Sequence, residues 1–356
     1  MQYLIKITDG TLVAAIVLSF LLFLIFRTAE GGKTRLAPGV LPGVGAALVY
    51  AVLKRNTGFA VREYYDLGVM LPSMVFSLLF LALVWQGFAP KSATVRKGFR
   101  FVLFVLTNLV LAYCLPDILL SPFEFAVGME SIYNTDFLYR AVGYAAALAT
   151  MFLLGLAVYK MAEKTSGRYL LVLAFAAGVI FFLQQSLEVV QILAGRNLIP
   201  RPRWLMSLLI TLLSYRNGFA YAFMILLASW ATALVVRVRL TPLTGANPAQ
   251  IRLMKADHRR QLRVCGLLTV CLAVSLLTVT VLRSHANREV EISPPVDVAA
   301  QEGGVNIALE EVNDGNLHRY QFTASGGTAV RFIIIKKNES AYGVGLDACD
   351  ICGPTG

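Results

Sequence analysis

Charge is scarce in this chain. Asp, Glu, Lys and Arg make up 15% of the residues and hydrophobic residues 57%, whereas a soluble domain carries about 25% charged residues. Histidine is scarcer still. The three are His258, His285 and His318, and no two share an apolar run. That argues against a haem held between two histidines of one span. There is no P-loop, no Gly-x-Ser-x-Gly and no His-Glu-x-x-His, so the familiar nucleotide, serine-hydrolase and zinc-peptidase signatures are missing. Cysteine is limited to five residues. Cys114, Cys265 and Cys271 lie in apolar runs, where a thiol packs as a small hydrophobe. Cys349 and Cys352 alone are spaced as a pair.

What the chain does have is long apolar runs. They predict eight spans, at about 10–27, 38–54, 67–87, 100–120, 140–160, 168–194, 217–237 and 263–283, each near the length that crosses about 30 Å of hydrocarbon. The second is the weakest: it is short, holds Gly43 and Gly45 and has Pro42 near its start, as a tilted or re-entrant segment would. Trp204–Leu213 is too short to span and reads as an interfacial helix or a broken extension of the seventh span. The first run is a retained helix and not a signal peptide, because its cluster of positive charge follows the apolar core and Phe26-Arg27-Thr28 is a poor cleavage site.

The net charge is +11, unevenly placed. Basic residues cluster in loops one, three, five and seven, the last with Arg237, Arg239, Arg252, Lys255, Arg259, Arg260 and Arg263. Loop four is acidic, with Glu124, Glu130 and Asp136 after Asp117. The excess of basic residues on cytoplasmic loops places the odd loops in the cytoplasm and both termini outside, with loops two and six as weaker counter-votes. Basic residues beside apolar spans signal topology, and no nucleic-acid partner is expected. Tyr64, Tyr65, Tyr113, Tyr133, Tyr215 and Tyr221 fall near the outer ends and read as an interfacial belt.

After Arg283 the composition changes. From Ser284 onward five basic residues face ten acidic ones. Ser293-Pro294-Pro295 reads as an extended linker. Strand-like segments follow at Val305–Leu309, His318–Thr323, Val330–Lys336 and Ala341–Leu346, separated by turn signals such as Asn313-Asp314-Gly315. The expected architecture is an all-α polytopic membrane domain over 1–283, a linker over 284–303 and a small β-rich extracytoplasmic domain over 304–356.

That domain ends in Cys349-Asp-Ile-Cys352-Gly-Pro. Two thiols three positions apart in a turn can face one centre, half of a site for zinc, iron or an Fe–S cluster. Asp347, Asp350 and His318 are the other nearby donors. A structural disulfide or a redox pair fits the same spacing. The stop two residues after Gly353-Pro354 leads us to expect a fragment with an incomplete site.

Three runs carry a resemblance: Asp314-Gly-Asn-Leu-His-Arg-Tyr320, Val330-Arg-Phe-Ile-Ile-Ile-Lys-Lys337, and Tyr342-Gly-Val-Gly-Leu-Asp-Ala-Cys-Asp-Ile-Cys-Gly-Pro354. They resemble the C-terminal domain of a bacterial family of Fe–S-containing multi-span membrane proteins, whose layout this chain shares. The resemblance implies metal ligation at Cys349 and Cys352. It also implies a role in iron acquisition beside a periplasmic iron-binding protein and an iron permease, in the bacterial inner membrane. In the family a second Cys-x-x-Cys and a further cysteine follow the first pair, and this sequence stops before them.

Within the spans one polar feature stands out. Gln184, Glu188 and Gln191 share one face of span six, and an ionisable residue at membrane depth is often functional. With Asp117 and Arg216 they could line an outward vestibule that attracts cations. The plainer alternative is a packing role, with Glu188 paired to Arg216 or to a backbone group. Three readings follow: a membrane component of an iron or metal acquisition system, a membrane-anchored thiol–disulfide or electron-transfer protein, and a scaffold without chemistry.

Overall fold

A computed structural model describes residues 2–28, 36–57, 61–86, 93–124, 135–215, 217–242, 247–286, 294–299, 304–323, 329–338 and 341–346. The helices are α1 (Gln2–Thr28), α2 (Leu36–Asn56), α3 (Arg62–Trp85), α4 (Ala93–Glu124), α5 (Thr135–Glu163), α6 (Gly167–Gly195), α7 (Arg203–Ser214), α8 (Asn217–Leu240) and α9 (Pro248–Leu277). A π turn at Thr278–Leu282 carries α9 into Arg283–Ala286. Among the described residues, seven helices are long and apolar enough to cross a membrane. The chain is a polytopic helical membrane protein.

The remaining long helix, α2, is tied to α4 along its length. The Asn108 carboxamide donates to the Gly39 carbonyl and accepts from the Gly43 N–H, both at 2.7 Å. Further along, the Arg55 guanidinium stacks over Phe123 at 4.1 Å. So α2 runs parallel to α4 for 17 residues, roughly 25 Å at 1.5 Å per residue, but it is not among the seven helices long and apolar enough to cross, so the expected eighth span is not shown. Glycine at 43 permits the approach: a Cβ there would meet the Asn108 backbone at 2.4 Å. As its length implied, α7 is a short apolar helix of 12 residues.

Helix α1 is deeply enclosed, with Leu12, Ile16, Leu24 and Ile25 all fully buried, as befits a helix apolar on all sides. Its Thr11 and Ser19 hydroxyls bond the carbonyls of Ile7 and Ala15, the usual way a hydroxyl is satisfied without water. Trp230 of α8 is fully buried, stacks on Phe20 at 5.4 Å and donates to Thr165 Oγ1 at 3.0 Å. Cys114, Cys265 and Cys271 are buried free thiols, as expected.

Prolines shape α4. Pro116 and Pro122 have no N–H, so the carbonyls of Ala112 and Ile118 lose their helical partners. Neighbouring tyrosines replace them. Tyr65 of α3 donates to Ala112 at 2.8 Å and Tyr144 of α5 donates to Ile118 at 2.9 Å. A freed carbonyl in a spanning helix is tolerated when a neighbour satisfies it in this way.

The C-terminal unit, Asn287–Gly356, is compact in its own right. Its four strands are β1 (Val296–Asp297), β2 (Leu317–Thr323), β3 (Ala329–Asn338) and β4 (Ala341–Leu346), in sheet order β1-β2-β3-β4. The last three match expectation. The first does not: Val305–Leu309 alternates but forms no strand, and the acidic pair Glu310-Glu311 sits in a 3₁₀ turn over Leu309–Val312. The first strand comes instead from just after Pro294-Pro295. It pairs parallel with β2, and Val298 N–H donates to Gln321 O at 2.8 Å. An edge position tolerates preceding prolines, which have no N–H for the ladder. Tyr320 and Phe332 face each other across β2 and β3 with ring centroids 5.7 Å apart.

Candidate functional site

Of the polar residues singled out in the spans, Gln184, Glu188 and Asp117 lie at one end of the bundle, where α1 and α3 begin and α2, α4 and α6 finish. Glu188 of α6 accepts from the Tyr113 hydroxyl of α4 at 2.8 Å and from Gln184 Nε2 at 3.1 Å. Tyr113 lies eleven residues before the end of α4, roughly 16 Å in at 1.5 Å per residue. The i, i+4 spacing read from the sequence therefore brings Gln184 onto Glu188, whereas Gln191 is exposed. Arg216 lies outside the described residues.

Asp117 does not reach Glu188 as a hydrogen-bond partner. It is held by Arg62, whose Nη2 lies 3.2 Å from Asp117 Oδ2 and 3.1 Å from the Tyr113 carbonyl. The Arg62 Nε lies 2.9 Å from Asp66 Oδ1. Three rings surround this guanidinium: Tyr50, Tyr113 and Tyr65 have centroids 5.6, 5.9 and 6.0 Å from Arg62 Cζ. Tyr50 and Tyr65 stack at 4.0 Å. This cluster corrects the belt reading for Tyr65 and Tyr113, which form an arginine cage inside the bundle. Tyr64 keeps an exposed position beside Arg196 and Tyr215 is exposed; Tyr133 lies outside the described residues.

Arg62 reads in sequence as a loop cation because it precedes the apolar run. The signal that marks it is its spacing: Asp66 lies one helical turn on. The cage has unused bonding capacity. Arg62 Nη1, the Tyr50 hydroxyl and Gln184 Oε1 are buried and find no hydrogen-bond partner among the described residues. Four charged groups gather at this end of an apolar bundle, Arg62 with Asp66, Asp117 and Glu188. Such groups are costly there unless they face one another or water.

A second ion pair closes the same end. Arg283, just after the π turn, donates to Asp9 Oδ2 at 2.7 Å and to Asn217 Oδ1 at 3.0 Å. It ties α1, α8 and the end of α9 together, and Lys6 joins Glu124 beside it.

In the tail, the turn before β2 is rigidly bonded. Asp314 accepts from the Asn316 N–H at 3.0 Å and lies 2.6 Å from His318 Nε2. Those bonds, the one from His318 foremost, pull the Asp314 carboxyl down to about 2. Gly315 has φ +77°, a backbone region that suits glycine. Asn313 accepts from Lys336 Nζ at 2.6 Å and from the Tyr342 hydroxyl at 3.2 Å, which fastens the turn to β3 and β4. Cys349 and Cys352 lie outside the described residues. A cluster takes about four thiolates, and this pair provides two. No group of three or more His, Cys, Asp or Glu that could hold a metal occurs among the described residues. His318 is engaged by Asp314.

A helical bundle of this kind, followed by a separate small sheet, defines a polytopic membrane protein with a C-terminal β module. Residues 312–356 match the family described as membrane iron-sulfur containing protein, FtrD-like. The likeness to that family is carried by this C-terminal segment. No curated protein and no solved structure matches it.

Proposed function

We propose that this chain is a membrane component of a bacterial iron or metal acquisition system, lying in the inner membrane with both termini periplasmic. The observation that carries the reading is the match of residues 312–356 to a membrane iron-sulfur family, because that segment includes Cys349 and Cys352. The two thiolates would supply half of the ligands of an Fe–S cluster, or of an iron or zinc site. The rest would come from another segment or another chain. Candidate partners are a periplasmic iron-binding protein and an iron permease. The sheet, locked by Asn313 and Asp314, holds the strand that leads into the cysteines. In the bundle, Glu188, Gln184 and Asp117, with Gln191 and Arg216, are proposed to line an outward vestibule, and Arg62 fixes Asp117 there.

The test is to purify the full-length gene product in mild detergent and measure iron, sulfide, zinc and visible absorption, with Cys349→Ser and Cys352→Ser beside it. Stoichiometric iron with sulfide, lost in both variants, supports the cluster; zinc supports a structural site. A metal-free protein with a titratable disulfide between these cysteines sinks the reading and leaves the thiol–disulfide alternative. Labelling of introduced cysteines from outside should reach the tail and spare the loop after α8; the reverse pattern overturns the orientation.

A further inference from the structure

The bundle end opposite the arginine cage carries a feature that this reading does not use. Between α8 and α9 runs an open groove of about 850 Å³, lined by Ile225, Ala228, Thr232, Gly266 and Thr269 along its length and by Arg239 at one end. The groove is open to the surroundings, and its floor is formed by the buried Met224, Ala231, Cys265 and Leu272. On α8 the inward positions are Leu227, Trp230 and Leu234, all buried, whereas Ile225 and Val236 are 69% and 48% exposed. Nothing lies within 4 Å of where a Cβ on Gly266 would sit. An apolar trough of this kind on a spanning helix pair suits hydrocarbon.

The end of the trough is strongly cationic. Arg237 and Arg239 close α8, and α9 opens with Arg252, Lys255, Arg259, Arg260 and Arg263. Across these two helices the only acidic residue is Asp257, which is bonded to Lys164 at 2.6 Å and to Gln261 at 2.8 Å. Arg239, Arg259 and Arg263 are exposed. Apolar walls under a cationic rim match one chemical class: a lipid with acyl chains and an anionic headgroup. The other large groove, about 420 Å³ between α1, α4 and α5, has no charged residue in its lining, so it has no such match.

We propose that the α8–α9 groove is a binding site for an anionic phospholipid, its acyl chain along Ile225, Ala228 and Gly266 and its phosphate at Arg239 of the lining and at the exposed Arg263, which follows the lining residue Leu262. The site would couple the basic loop to the lipid composition of its leaflet. It is independent of the reading of the tail.

The test uses the full-length protein in mild detergent, titrated with phosphatidylglycerol or phosphatidylcholine and read by native mass spectrometry. Wild type should bind phosphatidylglycerol at least tenfold more tightly than phosphatidylcholine. Arg239→Gln and Arg263→Gln should each weaken phosphatidylglycerol about fivefold, as expected for one basic group near an anionic surface, and leave phosphatidylcholine unchanged. Gly266→Leu, which fills open space, should weaken both lipids. Both arginines are on the surface, so the variants should keep the wild-type gel-filtration profile and melting temperature. Equal affinity for the two lipids, or undiminished phosphatidylglycerol binding in the double variant, overturns the proposal. A dimer that Gly266→Leu dissociates would overturn it too, and would assign the groove to a second copy of the chain.

Discussion

The Tyr65 hydroxyl lies 2.8 Å from the Ala112 carbonyl oxygen, the acceptor that Pro116 strands by lacking an N–H. The pairing makes an inter-helix bond out of a helix defect. Removing the hydroxyl with Tyr65→Phe leaves a buried carbonyl unsatisfied, at a cost of about 1–3 kcal/mol. Pro116→Ala restores the helical donor, so Tyr65→Phe made in that background should cost less. A double-mutant cycle on chemical unfolding in detergent measures the difference. Additive effects would show that Tyr65 acts through packing alone.

The Tyr113–Glu188 bond joins α4 to α6 in the same region. Tyr113→Phe should destabilise the fold by about 0.5–2 kcal/mol, the range for hydrogen bonds between membrane helices. Glu188→Gln keeps an acceptor oxygen for Tyr113 and should unfold close to wild type. It removes the charge, however, so metal-dependent uptake should fall if the vestibule reading holds. Unchanged uptake at normal protein levels would leave Glu188 as a packing residue. Arg62→Leu should be the most damaging change here, about 3–5 kcal/mol, because it leaves the carboxylates of Asp66 and Asp117 without their cation.

Much of this architecture was legible. Hydrocarbon thickness imposes run length, so the apolar runs located the long helices. The observed helices overshoot those runs, as α9 does by starting at Pro248 and not near 263, because a helix can continue past the hydrocarbon where hydropathy no longer marks it. The tail strands β2, β3 and β4 were legible from their turn residues. The strand β1 was not, since Pro294-Pro295 reads equally as linker and two residues carry no periodicity. The arginine cage was hidden for a different reason. Its members come from α2, α3 and α4, and no local spacing records that three tyrosines meet one guanidinium. Only Gln184 with Glu188 and Arg62 with Asp66 were within reach of a one-turn rule.

Gly43 and Gly45 of α2 look alike in sequence and should behave oppositely. A Cβ on Gly43 would meet the Asn108 oxygen at 2.4 Å, whereas nothing lies within 4 Å of one on Gly45. Gly43→Ala should destabilise by about 1–3 kcal/mol through overpacking, and Gly45→Ala should stabilise by up to about 1 kcal/mol through helix propensity. Asn108→Leu removes both 2.7 Å bonds to α2 and should loosen that helix, read as faster amide exchange across 39–56. If the two glycine variants melt together, α2 does not pack on α4 as described.

The turn ahead of β2 should make the tail sensitive to acid. The Asp314 carboxyl is held at about 2 by hydrogen bonds from His318 first and from Asn316, below its usual value near 3.9. A carboxyl lowered by folding favours the folded state while it is ionised. Its contribution is therefore complete above about pH 4 and disappears as the pH falls toward 2. The group is exposed, so the effect on the sheet should be modest and salt-sensitive. Asp314→Asn should remove the part of the acid sensitivity that arises between pH 4 and 2, while leaving the neutral-pH fold of β3 and β4 in place. The measurement is amide exchange of residues 312–323 in the full-length protein, corrected for intrinsic rates, at several pH values. An acid midpoint that is the same in the variant and the wild type would remove Asp314 from the account.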